Sequence, residues 1–470
     1  MALQLPAFQA VRIDKLEVRE DISETDFLRE ARMRAGRTPS VVLLSGGESR
    51  ASGENRYSIA GWDPFLVFRS KGHACTLERA GKMQQVEADP LVLLDRLCSS
   101  FRPDFGFDVS PFSGGAMGYL AYDLKNTIER LPQTAQDDMN LPDLFLLWPK
   151  RIMVHDRREQ KLFNFTLGFE GDVRGEGHGC GGHETVPFPP LRAGNLRSDF
   201  THEQYLAAVG KVRRYIRRGD VYQVNLSQRF RFSFEGDPFR LWTLLFEMNP
   251  APFYAFVNAG DHGVLSTSME RFLFRRGSYL ETRPIKGTQR RGATPEEDAA
   301  LASGLVGSPK DDAELSMIVD LMRNDLGRVC SPQTVRVDEH KRLESYQNVH
   351  HLVSIVSGRL RPEASYGDVL RACFPGGSIT GCPKIRAMEI IDELEPHVRH
   401  VYTGSIGYLG WHENMDLNVA IRTAILKDGT CCFPVGGGIV YDSREEDEYR
   451  ETLQKGRTVF DLVEKLGGEA

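Results

Sequence analysis

The sequence predicts an α+β fold in which antiparallel β-sheets pack against α-helices. Its 470 residues exceed what one compact core normally holds, so we expect either two lobes or one large domain built on two sheets. The first ~165 residues contain short apolar runs separated by turn signals, which is typical of antiparallel strands rather than of alternating strands and helices. The second half adds amphipathic helix patterns to further strands.

Three regions follow one another along the chain. Residues 1–167 are predicted to form a β-meander lobe with the strands SVVLLSGG, FLVFRSKG, GAMGYLAYD, RIMVHD and KLFNFTL. Residues 168–198 are rich in Gly and Pro and are expected to be a linker. The HGCGGH motif around Cys180 lies there without apolar periodicity, so we expect linker rather than a metal site. Residues 199–470 are expected to form the catalytic region.

Composition excludes several classes of function. The 59 basic and 65 acidic residues are interspersed and give a net charge of −6, which argues against a nucleic-acid partner. No apolar run approaches the ~20 residues of a membrane span, and the first residues lack a signal pattern, so a cytoplasmic protein is expected. The eight cysteines form no C-x-x-C pair and are read as reduced thiols. The basic segment GKVRRYIRRGD is expected to be a solvated helix face.

Two helices of the second half can be placed from their periodicity. DAELSMIVDLMRNDLG runs from Asp312 to Gly327, with Glu314 at the edge of its apolar stripe. A second helix follows PGGSITG and has Pro383 in its first turn; that glycine-rich run either binds an anion or simply begins the helix. The residues predicted to face the core are Leu315, Ile318, Val319 and Met322 in the first helix and Ile385, Met388, Ile391 and Leu394 in the second.

The C-terminal part combines a strand, a hairpin and a charged helix. MDLNVAIRTAI alternates as one strand with Arg422 on its polar face, and Asp428-Gly429 predicts a hairpin turn. The glycines 436 to 438 permit a close approach to the backbone. Ser443 and Glu446 predict a capping box for the last helix. On that helix Glu448, Glu451 and Lys455 share one face, which is either solvated or part of a site.

Lys286, in ETRPIKGTQRRG, is the residue that calls for an explanation. A strand-end lysine is usually solvated, but a hairpin turn at Gly277-Ser278 brings Glu270 within about one residue of the position opposite it. Pro284 can cause a β-bulge, so the sequence does not fix the register between the strand of Lys286 and the strand that follows Glu270. A nucleophilic amine must be neutral. Deprotonation of a lysine with a pKa near 10.4 costs roughly 4.6 kcal/mol at pH 7. Burial and neighbouring cations can lower that cost.

A series of motifs in fixed order resembles the chorismate-utilising enzymes. The motifs are SMERF, RPIKGT, AELSMIVDLMRNDLGR, VHHLVS, FPGGSITGCPKIRAMEIIDELEP, GSIGYL, IRTA, GGGIVYDS and EYRET. The resemblance covers the chain from about Val41 and is closest to the branch of the family that forms aminodeoxychorismate. It implies a large α+β domain of two antiparallel sheets flanked by helices.

The resemblance also implies roles for individual residues. Lys286 would attack C2 of chorismate and displace the 4-hydroxyl, and ammonia would then add at C4. Glu270 would be the general acid. Mg²⁺ would be bound by Glu314 and Glu451 with help from Glu448. The residues implied to contact the substrate are Gly287, Thr288, His351, Tyr402, Arg422, Gly436, Gly437, Gly438 and Lys455.

Two positions indicate the chemistry within the family. Anthranilate synthases resemble this chain but have alanine at the position of Lys286, and the enzymes that add water have a lysine at the position of Gln223. The resemblance therefore implies conversion of chorismate and ammonia to 4-amino-4-deoxychorismate, in the route to 4-aminobenzoate and folate, with anthranilate synthesis as the alternative. A catalytically dead binding subunit is disfavoured because Lys286, Glu270 and the metal glutamates are all present.

Two binding partners are implied as well. The chain has no room for a glutaminase domain, so a separate glutaminase subunit is expected to supply ammonia as part of a heterodimer. The family has a tryptophan site between its lobes, but the longer GGESRASGEN loop departs from the family pattern there. The residues that match this site are Ser45, Asn55, Arg56, Tyr57, Pro252, Phe253 and Tyr254.

Overall fold

The computed structural model describes residues 9–36, 39–46, 55–106, 110–169, 189–346 and 349–467. More of these residues lie in β-strands than in helices. The strands are β1 (Gln9–Arg19), β2 (Ser40–Leu44), β3 (Tyr57–Lys71), β4 (Ala74–Arg79), β5 (Lys82–Glu87), β6 (Phe101–Pro103), β7 (Gly115–Leu120), β8 (Leu144–Asp156), β9 (Lys161–Phe169), β10 (Arg192–Ala193), β11 (Arg197–Ser198), β12 (Gln223–Glu235), β13 (Phe253–Asn258), β14 (Gly263–Ser268), β15 (Arg271–Arg276), β16 (Tyr279–Arg283), β17 (Ile285–Arg290), β18 (Arg336–Ser345), β19 (Val349–Arg359), β20 (Gly381–Cys382), β21 (Ser405–Gly410), β22 (Asn414–Asn418), β23 (Thr423–Lys427) and β24 (Thr430–Ile439).

The helices lie around the sheets and carry sequence-encoded caps. Ser23, Thr201 and Ser365 form capping boxes, in which the hydroxyl accepts from a backbone N–H of the first turn. The helices are α1 (Glu24–Ala35), α2 (Pro90–Ser99), α3 (Lys125–Ile128), α4 (His202–Arg218), α5 (Pro238–Met248), α6 (Pro295–Val306), α7 (Pro309–Gly327), α8 (Tyr366–Cys373), α9 (Lys384–Leu394) and α10 (Glu445–Gly467).

Backbone pairing arranges the strands in two sheets that share the long strands β3 and β8. One sheet has the order β12-β24-β23-β14-β13-β2-β3-β8-β9-β1, and the other has the order β5-β4-β3-β8-β7-β21-β22-β15-β16-β19. β17 and β18 both pair with β19. These pairs are antiparallel, whereas β1 with β6 is parallel. The predicted α+β class with two antiparallel sheets and flanking helices is confirmed.

Strands from before and after the predicted linker pair with each other. β2 pairs with β13 and β7 pairs with β21, so residues before and after the predicted linker contribute to the same sheets. Apolar residues of both parts pack in one large core, which includes Phe145, Trp148 and Leu273. Residues 170–188, with the HGCGGH motif and Cys180, lie outside the described residues. The described cysteines are free thiols.

Several local predictions are confirmed. The helix of Glu314 buries Leu315, Ile318, Val319 and Met322, as its periodicity predicts. The hairpin at Asp428-Gly429 joins β23 to β24, and both turn residues have positive φ, as a two-residue hairpin requires. Within the described ranges, no helix combines the length and the apolar character that a membrane span needs.

Three local predictions are wrong. The predicted strand through Arg422 is broken, because β22 pairs in one sheet and β23 in the other, and Arg422 lies in the crossing with φ of 51°. Ile385 is 48% exposed rather than buried. Ser443 forms no capping box with Glu446; its hydroxyl instead donates to Glu448 Oε1 at 2.5 Å.

Candidate active site

Lys286 lies on β17, near the charged side chains of Glu314, Glu270, Lys455 and Glu451, and we call the space among these side chains the cleft. Its strand pairs with β19, and Pro284 separates β17 from β16 because a proline cannot donate to the ladder. The half-buried side chain donates from Nζ to Ser378 O at 3.1 Å. Burial lowers the pKa of Lys286, and the carboxylates of Glu314 and Glu270 oppose that shift only in part. The amine is therefore easier to deprotonate than a solvated lysine.

Glu270 stands beside this amine at the end of the neighbouring hairpin. Arg276 pairs with Tyr279 across the predicted turn, and the ladder ends at Arg271 opposite Arg283, so Glu270 lies just beyond the paired strands. Glu270 is 5% exposed, and burial raises the pKa of its carboxyl to about 7 although a hydrogen bond from Ser378 Oγ, at 2.6 Å, lowers it. A carboxyl with this pKa can give or take a proton near neutral pH.

Ser378 connects the two groups and was missed by the sequence analysis. Its hydroxyl donates to Glu270, while its backbone oxygen accepts from Lys286 and from Asn225 Nδ2 at 2.6 Å. The residue lies in the PGGSITG run, for which the sequence predicted either an anion site or simply the start of a helix. A polar side chain within a glycine-rich run was the sequence feature that could have identified Ser378 as a site residue. Ser378 therefore fixes the lysine and the glutamate relative to each other.

Three glutamates from two helices lie across the cleft. Glu314 projects from α7, and Glu448 and Glu451 project from α10. Burial raises the pKa of Glu314 and of Glu448. Burial also raises the pKa of Glu451, but the nearby Lys455, whose Nζ is 2.6 Å from Glu451 Oε1, lowers it below the usual value. Like charges gathered in one place favour a bound cation.

Gly437 shows how closely two of these carboxylates approach. A methyl group built on its Cα would lie 3.4 Å from Glu448 Oε2 and 3.4 Å from Glu451 Oε1. Ser443 holds Glu448 Oε1, whereas the buried Glu448 Oε2 has no hydrogen-bond partner among the described residues. An unpartnered buried carboxylate oxygen calls for a ligand.

These carboxylates fit Mg²⁺. No group of three or more His, Cys, Asp or Glu residues in the described ranges is placed to hold a metal by itself. Mg²⁺ does not need such a cage, since it keeps several waters and takes one or two carboxylates together with substrate oxygens. Glu448 and Glu451 can supply the two carboxylates, and Glu314 lies on the facing helix.

His351 and its neighbours form another wall of the cleft. Thr288 Oγ1 and His351 Nδ1 are 3.0 Å apart, and the buried Nε2 has no partner among the described residues. Burial lowers the pKa of His351 to about 4, so the ring is neutral at pH 7. Gly287 has φ of 73°, and a Cβ there would lie 3.0 Å from Leu305 and 3.1 Å from Asp311. Only glycine fits that backbone without strain.

Arg422 supplies a polar group from the crossing between the sheets, and Tyr402 supplies another from the turn before β21. Burial lowers the pKa of Arg422, while Tyr402, Tyr254 and Glu451 oppose that shift. Burial raises the pKa of Tyr402 to about 12, so its hydroxyl stays protonated and can donate. Over the described part of the chain, the Arg422 guanidinium has no ion pair. A cation in this state is available to an anionic ligand.

The glycines 436 to 438 on β24 lie beside Lys455 and Gln223. Lys455 Nζ donates to Gly436 O at 3.0 Å. A Cβ on Gly436 would lie 2.7 Å from Leu226 O, and one on Gly438 would lie 2.1 Å from Gln223 Nε2. Gln223 is 1% exposed, and neither atom of its amide has a partner within the described residues. The strand therefore needs glycine, and it leaves a polar amide facing the cleft.

A separate cavity of about 690 Å³ contains most of the predicted tryptophan site. None of the residues around Lys286 lines it. Asn55 is not among its lining residues; its backbone oxygen accepts from Arg157 at 2.8 Å. The predicted residues that do line the cavity are Ser45, Arg56, Tyr57, Pro252, Phe253 and Tyr254. Residues 47–54 of the longer loop lie outside the described residues.

Comparison with known proteins gives matches over most of the chain. The chorismate binding enzyme family matches residues 48–461. Aminodeoxychorismate synthase component 1 of Bacillus subtilis (strain 168) is 38% identical over 440 residues, covering 91% of this chain and 93% of the relative. The protein of the same name from Escherichia coli (strain K12) is 39% identical over 454 residues, covering 95% and 97%.

A solved structure is similar over most of the chain as well. Anthranilate synthase component I from Streptococcus pneumoniae TIGR4 superposes with a TM-score of 0.75 at 32% identity, covering 87% of this chain and 92% of that chain. The two relatives named above and the family match each extend across both sheets. The chain belongs to the chorismate-binding enzyme family.

Proposed function

We propose that the chain converts chorismate and ammonia to 4-amino-4-deoxychorismate, which serves 4-aminobenzoate and folate biosynthesis in the cytoplasm. A separate glutaminase subunit, bound as a heterodimer, releases the ammonia from glutamine. The observation that carries the proposal is the pairing of Lys286, with its lowered pKa, with Glu270, whose pKa is about 7. The names of the relatives support it, since aminodeoxychorismate synthase component 1 implies a second component.

Lys286 and Glu270 carry the covalent chemistry. The neutral Nζ of Lys286 bonds to C2 of chorismate, the ring double bonds shift, and the C4–O bond breaks as Glu270 protonates the departing oxygen to water. Glu270 then takes up the proton that the bound lysine sheds. Ammonia bonds to C4, the double bonds shift back, and the C2–N bond breaks as Glu270 returns the proton to Lys286. The surplus proton of the new amine restores Glu270.

The remaining groups bind and orient the substrate. Chorismate-utilising enzymes of this family are generally Mg²⁺-dependent, and Glu314, Glu448 and Glu451 would hold the ion, which supplies positive charge for the ring carboxylate. Arg422 and Tyr402 would bind the enolpyruvyl side. The residues proposed to contact the rest of the substrate are Gly287, Thr288, His351, Gly436, Gly437, Gly438 and Lys455.

Anthranilate synthesis is the second candidate, because an anthranilate synthase component I has a similar structure. The two activities differ in the need for a nucleophilic lysine. Lys286 is held by Ser378 and faces Glu270, Glu314 and Glu451, so its amine lies within the reactive cleft. This placement favours the aminodeoxychorismate product.

We also propose that tryptophan binds in the cavity of about 690 Å³. The aromatic rings of Tyr57, Phe253 and Tyr254 can pack on an indole, and Ser45 lines the same cavity. Calorimetry with tryptophan tests this binding. A lack of heat exchange at millimolar tryptophan would remove the proposal.

Product analysis tests the main proposal. The purified chain is incubated with chorismate, Mg²⁺ and ammonium, with and without aminodeoxychorismate lyase. We expect 4-aminobenzoate when the lyase is present and little anthranilate in either reaction. Anthranilate as the main product would show that the second candidate is correct.

A further inference from the structure

Asn225, on β12, contacts the PGGSITG run that carries Ser378. Its backbone N–H donates to Thr380 O at 2.8 Å, and its backbone oxygen accepts from Arg399 Nη2 at 2.7 Å. Its side-chain Nδ2 donates to Ser378 O at 2.6 Å. The two backbone contacts do not depend on the side chain, so the amide itself adds the contact with Ser378 O.

The same carbonyl oxygen holds the amine of Lys286. Ser378 O accepts from Lys286 Nζ at 3.1 Å as well as from Asn225 Nδ2. A backbone carbonyl oxygen has two lone pairs, so these two donors use its full capacity as an acceptor. Among the described residues, this oxygen is the one hydrogen-bond acceptor of Lys286 Nζ. The position of the amine therefore depends on an oxygen that Asn225 also holds.

The contact with Ser378 O fixes the orientation of the Asn225 amide. A carbonyl oxygen can accept only from the NH2 group of the amide, so Nδ2 points to Ser378. The amide oxygen then lies on the side of β24, where a Cβ on Gly438 would be 3.0 Å from Asn225 Oδ1. A carboxylate of the same shape would place an oxygen against Ser378 O and lose the hydrogen bond.

The surroundings of Lys286 show why an uncharged donor fits this position. Burial has the largest influence on the pKa of Lys286 and lowers it. The charged groups that face the amine are Glu314 of α7, Glu270 before β15, and Lys455 and Glu451 of α10. Another carboxylate here would favour the ammonium form of the lysine. An amide donates a hydrogen bond without adding charge.

Two donors on one carbonyl oxygen compete for its electron density. An ammonium group removed from water needs a strong acceptor more than a neutral amine does, because its positive charge must be stabilised. Asn225 occupies one lone pair of Ser378 O and so makes this oxygen a weaker acceptor for Lys286. The oxygen still orients Nζ, but it stabilises the charged form less.

We propose that Asn225 is a positioning residue for Lys286, which fixes Ser378 O through its amide, so that this oxygen orients Nζ without strongly stabilising the ammonium form. The proposal rests on the proposed function, because the nucleophilic role of Lys286 belongs to that function. Asn225 acts through Ser378 O rather than on the reacting atoms.

The reactivity of Lys286 toward cyanate tests this role without turnover. Cyanate carbamoylates neutral amines, and mass spectrometry of the peptide that contains Lys286 measures the extent of reaction. We compare the wild type with Asn225→Ala, which removes the donor, and with Asn225→Asp, which also adds a carboxylate. The matched control is Asn258→Asp on β13, which loses a similar contact from Nδ2 to a backbone oxygen, that of Ala35 at 3.1 Å.

We expect Lys286 to react about three- to tenfold more slowly at pH 7 in Asn225→Ala, because a smaller fraction of the amine is neutral. The reaction should be slower still in Asn225→Asp and should match the wild type in the control. The rates should converge as the pH rises above the pKa of Lys286, since the amine is then neutral in every chain. A difference of the same size at every pH would show altered access to the amine and would overturn the proposal.

Equal reactivity of Lys286 in all four chains would overturn it as well, even if urea unfolding showed the Asn225 variants to be less stable. That result would reduce Asn225 to a structural role.

Kinetics with ammonium provide a second readout. Asn225→Asp should lower kcat about 10²-fold, as expected for a misplaced reacting group, and leave the KM for chorismate within about threefold of the wild type. A raised KM with unchanged kcat would contradict the proposal, because it would indicate a contact with bound substrate. If the wild type formed no aminodeoxychorismate while the cyanate results held, the proposed function would fail and the placement of the amine by Asn225 would stand.

Discussion

The cleft around Lys286 and the cavity beside Tyr254 both contain buried charged groups, yet they hold these groups differently. In the cavity, Arg271 donates to both carboxylate oxygens of Asp416 at 2.9 and 2.8 Å. Arg56 likewise binds Asp156, with its shortest contact at 2.6 Å. These two arginines therefore have fixed carboxylate partners within the fold.

In the cleft, several buried polar atoms lack such partners among the described residues. They are Glu448 Oε2, His351 Nε2 and both amide atoms of Gln223. Burial also shifts the pKa of Lys286 downward and that of Glu270 upward. Folding gains nothing from these arrangements, so they point to a ligand and a reaction.

Replacement of Lys286 should produce the largest effect. We expect Lys286→Ala to lower kcat for aminodeoxychorismate formation by about 10⁴-fold or more, because loss of a nucleophile removes the covalent route. Lys286→Arg should fail as well, since a guanidinium keeps its charge in proteins. Saturating ammonium and a coupled lyase assay measure both rates.

The arginine variant distinguishes a nucleophile from a charge that only binds substrate. If Lys286 merely held a carboxylate, Lys286→Arg would keep much of the activity and Lys286→Ala would mainly raise KM. Rates within about threefold of wild type, or ~0.65 kcal/mol, for both variants would refute the covalent mechanism.

Replacement of Arg271 tests whether the paired charges of the cavity stabilise the fold. Arg271→Leu removes the ion-pair partner of the half-buried Asp416 and one of the two arginines that pair with the buried Glu281, so the free energy of unfolding should fall by about 3–5 kcal/mol. Lys286→Leu should change stability little or raise it, because active-site groups are often placed at a cost to stability. Urea unfolding of the two variants measures both effects. Equal destabilisation by the two substitutions would show that the contrast between the regions is wrong.

Patterns within one segment predicted much of this molecule. The periodicity of the helix that carries Glu314, the hairpin at Asp428-Gly429 and the turn at Gly277-Ser278 depend on neighbours a few residues apart. The residues of the predicted site came mainly from family motifs rather than from spacing.

Features that depend on distant contacts could not be predicted. Ser378 hydrogen-bonds to Glu270, which is 108 residues away in the sequence. No local sequence pattern around either residue predicts this contact. Arg422 occupies a break because its two flanking strands join different sheets, although the local alternation is that of one strand. Ile385 fits a buried helical stripe, but no part of the fold covers its side of α9.

Glu270 should show an intermediate effect. Glu270→Gln keeps the shape of the side chain but cannot give up a proton, so kcat should fall at least about 10²-fold. In the wild type, the free enzyme needs Glu270 protonated for the first step, and its pKa is about 7. Lys286 must be neutral at the same time, so the pH profile of kcat/KM should show two ionisations, one near pH 7 from Glu270 and one from Lys286, and the residual activity of the variant should lack the one near pH 7. A wild-type profile that is flat from pH 6 to 9 would contradict the role of Glu270 as the acid.

Ser443 should give the smallest effect and the finest test of the metal site. Its hydroxyl holds Glu448 Oε1 and so directs the unpartnered Oε2 toward Glu451, and supporting contacts of this kind typically change metal affinity by about 10- to 100-fold. We expect Ser443→Ala to weaken Mg²⁺ binding about tenfold, with a larger loss for Glu451→Gln, measured by calorimetry after EDTA treatment and by the Mg²⁺ needed to restore activity. Glu446→Gln is the matched control, because Glu446 lies on the same helix but pairs with Arg450 at 3.2 Å on the solvent side. If Ser443→Ala and Glu451→Gln bound Mg²⁺ as tightly as the control, the carboxylates of α10 would not be metal ligands. The unpartnered Glu448 Oε2 would then need another ligand to explain it.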